Sequence, residues 1–154
     1  MKDVALCTVF VIAVQILCCA EVTKLSPADR KILENSSRFH EVHSTGELPP
    51  GILTLCGDKI AEPGGNWNAT DVISDATIPA KRLIWAAVGG DYYLVHYERG
   101  GIAHTFHVLI AKMEKGEAKP KVVWNAIGGP FTDYAAFLAG LRTGRLDDRV
   151  DYGR

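Results

Sequence analysis

Residues 82–113 read RLIWAAVGGDYYLVHYERGGIAHTFHVLIAKM, and this stretch decides the fold. Three runs rich in Ile, Val, Tyr and Trp (82–88, 91–99 and 102–113) are separated by Gly89-Gly90 and Gly100-Gly101. β-Branched and aromatic residues favour strands. Glycine supplies the positive φ that two-residue hairpin turns need, so both pairs predict hairpins. A fourth run, 121–127, extends the pattern to a four-stranded antiparallel meander.

With two-residue turns, Val88 faces Asp91 and Arg99 faces Ile102, and the period of two assigns every side chain to a face. One face takes Ile84, Ala86, Val88, Tyr93, Val95, Tyr97, Ile102, His104, Phe106, Val108 and Ile110, and is expected to carry the C-terminal helix. The other takes Leu83, Trp85, Ala87, Tyr92, Leu94, His96, Glu98, Thr105, His107 and Leu109, joined by Val122 and Trp124. Three uses of this second, aromatic face stay open: packing under the N-terminal helix, pairing with a second copy in a homodimer, or binding a partner.

Beyond the sheet, Gly129-Pro130 opens a helix in which Phe131, Tyr134, Phe137, Leu138 and Leu141 recur at helical spacing, closed by Gly144. Upstream, 57–79 carries Pro63, Gly64, Gly65, Asn66 and Asn68 and predicts a long irregular connection with Trp67 at its middle. Further upstream, Ser26-Pro27-Ala28-Asp29 combines a capping hydroxyl, a proline at the first helical position and a first-turn carboxylate. That signature predicts a helix from Pro27 to about Val42, broken by 47–51. The expected architecture is α+β: an N-terminal helix, a four-stranded antiparallel meander and a C-terminal helix packed on the sheet.

At the N-terminus, Lys2 precedes a run from Val4 to Cys19 that is apolar except for Thr8 and Gln15, and ends in small residues before Glu21. This reads as a secretory signal over 1–20, which places the protein in a secreted or periplasmic compartment. Its removal leaves 154 − 20 = 134 residues, 21–154, as one small domain with no transmembrane helix. Cys7, Cys18 and Cys19 leave with the signal, so Cys56 stays without an internal disulfide partner, and its apolar setting Ile52-Leu53-Thr54-Leu55 favours burial. Two N-glycosylation tripeptides, Asn35-Ser36-Ser37 and Asn68-Ala69-Thr70, matter only in a eukaryotic secretory pathway. The balance of 17 basic against 18 acidic side chains excludes a nucleic-acid binder that relies on a strong basic field.

The chemistry-bearing motifs are few. The predicted register makes His96 and His107 diagonal neighbours on one face, beside Glu98 and Thr105, where two imidazoles and a carboxylate could hold zinc with an open fourth position. That gives one functional reading, a metal-binding protein or metal-assisted hydrolase with His96, His107 and Glu98 as ligands. His40-Glu41-Val42-His43 lacks the two residues that a zinc-protease helix places between its Glu and second His. A thiol hydrolase on Cys56 would enlist His104 or His107, but the local sequence does not open a helix at the thiol. No phosphate-binding loop and no Gly-x-Ser-x-Gly elbow occurs. The favoured reading is therefore a non-catalytic binding module, such as an inhibitor, accessory or neutralising partner, that needs no cofactor. It would contact a protein or small ligand outside the cytoplasm through Trp85, Tyr92, Trp124 and Trp67, since aromatic side chains are enriched in interface cores.

Overall fold

The computed structural model describes residues 24–57, 59–71, 75–117 and 119–146, so the signal reading over 1–20 and most of the charged C-terminal tail lie outside the described residues. Helix α1 (Pro27–Glu34) starts where expected, with Ser26 accepting from the Asp29 N–H at 3.1 Å. It ends after eight residues, at Glu34, rather than at Val42. Asn35-Ser36-Ser37 is the reason: these side chains compete for nearby polar groups, and Ser37 Oγ donates to Asn35 Oδ1 at 2.8 Å as the chain turns.

The chain then runs extended, and β1 (His40–Val42) pairs antiparallel with β2 (Lys81–Gly89). The sheet thus has five strands instead of the expected four, in the order β1-β2-β3-β4-β5, with β3 (Tyr92–Arg99), β4 (Thr105–Lys112) and β5 (Lys121–Ile127). All its ladders are antiparallel. A short helix, α2 (Pro50–Leu55), occupies the segment read as a break, because a proline that ends one element can equally sit at the first position of the next. Helix α3 (Tyr134–Arg142) follows β5, capped by Asp133, whose carboxylate accepts from the Ala136 N–H at 2.7 Å. Gly144, at φ 69°, follows its end.

Register departs from the sequence reading in an informative way. Between β2 and β3 the pairing is Gly89↔Tyr92, so the two-residue turn is Gly90-Asp91 and the faces are unchanged. Between β3 and β4 the pairing is Arg99↔Thr105, leaving a five-residue connection where two were expected. That odd slip exchanges the faces of β4 relative to β3. Gly100 makes no hairpin turn; a Cβ there would lie 2.0 Å from the Asn68 carbonyl oxygen, so its glycine serves a close approach to the 57–79 connection. Bulges at Ile84 and Val123 add further local switches.

Two cores result. Helices α1 and α3 cover the face bearing Trp85, Ala87, Tyr92, Leu94, Val108, Ile110, Trp124 and Ala126, with Phe131, Phe137 and Leu141 packed against them. The aromatic face therefore lies under the C-terminal helix, which was expected on the opposite face. That opposite face buries Leu83, Ala86, Val95, Tyr97, Leu109 and Ala111 against Val42, Leu48, Ile52 and Cys56 from β1, α2 and the turn between them. Burying side chains as large as Trp85, Trp124 or Phe137 stabilises the fold by about 2 kcal/mol each. Polar ties fix α3 in place: Trp85 Nε1 donates to the Phe131 carbonyl at 2.8 Å, the Tyr134 N–H to Glu41 at 2.8 Å, and the Tyr134 hydroxyl to the Leu33 carbonyl at 2.6 Å. No helix among the described residues is long and apolar enough to cross a membrane.

Candidate functional site

The register distributes the residues singled out in the sequence into three places. Trp85, Tyr92 and Trp124 share one face, as expected, and all are buried in the core beneath α1 and α3. His96 lies on that same face, whereas His107 points to the other one, opposite Tyr97, on which its ring stacks at 5.0 Å. The expected pairing of His96 with His107 on one face is corrected by the odd β3–β4 slip. The two residues meet only through the main chain: the His107 carbonyl lies 2.8 Å from His96 Nδ1. Among the described residues no three His, Cys, Asp or Glu side chains converge as a metal centre requires.

Glu98 and Trp67 meet instead at the end of the sheet where β2 begins and β3 ends. Glu98 pairs across the strands with Arg82, whose Nε donates to Oε1 at 2.6 Å. His104, from the β3–β4 connection, sets Nε2 2.8 Å from Glu98 Oε2. The carboxylate side chain is only 8% exposed, so these two partners offset the cost of burying its charge. Trp67 completes the cluster. The Arg82 guanidinium stands 5.1 Å from the centroid of its ring and the His104 ring 5.2 Å away, and His104 in turn packs on Phe106 at 4.9 Å.

The described parts of the 57–79 connection, 57, 59–71 and 75–79, form no helix or strand beyond isolated bridges, and the chain is firmly held where Trp67 leaves it. Asn68, nearly buried, donates both hydrogens of its Nδ2 to main-chain carbonyls, Asp75 at 3.0 Å and Ile78 at 2.9 Å. Its own N–H donates to the Pro79 carbonyl at 2.8 Å. Two isolated parallel bridges, Ala61 with Arg82 and Thr70 with Gly101, fasten the connection to the sheet and to the β3–β4 loop. At the tip of that loop Ile102 is 97% exposed, the one large hydrophobic side chain left in water among the described residues. An open hollow beside it is lined by Arg99, Ala103, Thr105, His107 and Ile127.

The Glu98–Arg82–His104 network satisfies its own charges, and Cys56, the one cysteine among the described residues, is not part of it. Cys56 is buried in the opposite core, where burial pushes its thiol up to about 12 against the opposing influence of Lys81. Thr105 Oγ1 lies 2.7 Å from His107 Nε2. Sequence reasoning missed Arg82 and Ile102 and gave His104 only a minor part; the Ile84 bulge that sets Arg82 opposite Glu98 leaves no local signal that could have found the pair. No family model, curated protein or solved structure matches the chain.

Proposed function

We propose that the protein is a secreted or periplasmic, non-catalytic binding module whose contact surface is the loop end of the sheet, centred on Ile102 and Trp67. The observation that carries this reading is an isoleucine left in water at the tip of a loop locked to its neighbour by the Thr70–Gly101 bridge and the close approach at Gly100. A preorganised loop binds without the ordering cost that a floppy one incurs. An exposed apolar tip beside a half-buried Trp and Arg resembles the makeup of interface anchors. The aromatic face with Trp85, Tyr92 and Trp124 supports the fold instead, and Trp67 alone of the four sequence candidates contributes to this surface.

A photo-crosslinking residue in place of Ile102, expressed in the native host with the chain's own leader, tests the proposal. One adduct of discrete mass is expected outside the cytoplasm, lost when Trp67→Ala is added and retained with the distant, exposed Lys115→Glu. Adducts that are absent, heterogeneous or indifferent to Trp67→Ala would overturn it.

A further inference from the structure

His96 is fully buried in the core, and both nitrogens of its ring are engaged. The backbone N–H of Phe131 donates to Nε2 at 3.1 Å, so Nε2 carries no proton. Nδ1 then holds the single proton of the neutral ring and donates it to the His107 carbonyl at 2.8 Å. The ring therefore ties the last turn of chain before α3 to the middle of β3.

The tied segment, 128–132, links β5 to α3; its Phe131 side chain is buried in the core, and its main chain includes two glycines. Gly128 and Gly129 stand at φ 159° and 129°, and glycine has little intrinsic preference for any one conformation. A Cβ on Gly129 would lie 3.1 Å from His96 Cε1, so the main chain passes directly over the imidazole. Trp85 Nε1 holds the Phe131 carbonyl, and the Gly128 N–H donates to the Phe106 carbonyl at 3.0 Å.

We infer that residues 128–132 form an acid-labile hinge, closed on the neutral His96 ring and released when that ring takes a second proton. Protonation turns Nε2 from acceptor to donor, so it faces the Phe131 N–H donor to donor, and it places a charge in an apolar pocket made by Trp85, Phe106 and Phe131. The charged groups near the ring do not compensate it. On β3 the carboxylate of Glu98 is already shared by Arg82 of β2 and His104, and on β4 the His107 imidazole lies on the opposite face. From α3, Tyr134 turns its hydroxyl to the Leu33 carbonyl. Burial, the largest influence, with the neighbouring His107 adding to it, lowers the His96 pKa to about 4 although the His107 carbonyl and Glu98 favour the charged ring. Release opens the segment while α3 stays packed, because the buried Phe137, Leu138 and Leu141 hold that helix independently.

Amide hydrogen exchange followed by NMR from pH 7 to pH 4.5 tests this inference, which is independent of the binding reading. A ring that titrates near 6.5 when open and near 4 when closed makes the protection factor of the Phe131 amide fall by about 50-fold over that range, while amides at the centre of β3 and β4 keep theirs. The His96→Gln variant, whose side chain does not titrate, should show no such fall. Direct observation of the His96 ring signals in the unaltered protein covers the case in which that variant does not fold, with a midpoint near 4 expected. Constant Phe131 protection, a parallel loss at all core amides, a ring titrating near 6.5, or an undiminished fall in the variant would each overturn the hinge.

Discussion

The hydroxyl of Tyr92 donates to Asp29 Oδ1 at 2.5 Å, so the first residue of β3 is bonded to the first turn of α1 across 63 positions of sequence. Ser26 Oγ donates to the other carboxylate oxygen, also at 2.5 Å, and Lys112 stands 4.9 Å from the Tyr92 ring centroid. Partial burial by itself raises the Asp29 pKa, but the Ser26 and Tyr92 hydroxyls, with Lys112 and Lys121, outweigh it and hold the carboxyl below its usual value. The Tyr92→Phe variant should lose about 1.5–3 kcal/mol, the range for a hydrogen bond to a charged group, read as a shift in urea midpoint at neutral pH. A folded-state pKa below 3.8 means that this stabilisation is complete above that pH and disappears as pH falls through the lower folded value. The difference between the two proteins should therefore shrink as pH falls below 3.8, and a difference that stays constant on acidification would contradict the charged bond.

Glu98 offers a sharper electrostatic test, because it is nearly buried and serves two donors. In Glu98→Gln the amide oxygen can still accept from Arg82 and the amide N–H can donate to His104 Nε2 in its other tautomer, so what is lost is the charge opposite Arg82, and a cost of about 1–3 kcal/mol is expected. A double-mutant cycle with Arg82→Met isolates the pair, and a coupling below about 0.5 kcal/mol would show that the carboxylate is held by other means.

Added volume should be tolerated poorly at Gly100, in the junction of the two loops, and far better at Gly116, in the β4–β5 turn. In Gly100→Ala the new methyl meets the Asn68 carbonyl and the Ala69 main chain, with a cost of about 3 kcal/mol. Gly116→Ala has open space around it and only the strain of φ 94°, about 1 kcal/mol. Thermal midpoints of both variants check the ordering. Asn68→Ala, which strands two carbonyls, should in addition speed proteolytic cleavage within 66–80.

Cys56 should behave as an inert thiol. With its pKa raised to about 12 by burial, the native protein is expected to leave the Cys56 peptide unalkylated by iodoacetamide at pH 8.5, with full labelling after unfolding. Mass spectrometry of the digested protein reads this peptide alone. Rapid native labelling would place the thiol at the surface.

Much of the fold is visible in the sequence because its strongest signals are local. The Ile-, Val- and Tyr-rich runs became β2 to β5, Ser26-Pro27 opens α1, and the apolar spacing from Tyr134 to Leu141 is α3. What failed was register, which depends on contacts between distant segments. Gly100-Gly101 carries the same residues as a hairpin turn but answers to the Asn68 main chain, and nothing local distinguishes the two uses. One odd slip then sent His107 to the far side of the sheet and dissolved the expected metal set. The bulges at Ile84 and Val123 are equally silent, since an extra residue leaves no mark in a run of Ile and Val. Of the surface proposed for recognition, Trp67 and Glu98 were legible as chemistry, whereas the loop that joins them through His104 was not.

Gly100 fits beneath 68–69, and Thr70 bridges Gly101, so neither loop can change length without displacing the other. An insertion at either one breaks a junction that its neighbour was shaped to meet. Chains that descend with this one should therefore gain or lose residues in both loops together or in neither, and the pair should pass between lineages as a single heritable unit while the 113–120 turn at the other end of the sheet drifts freely.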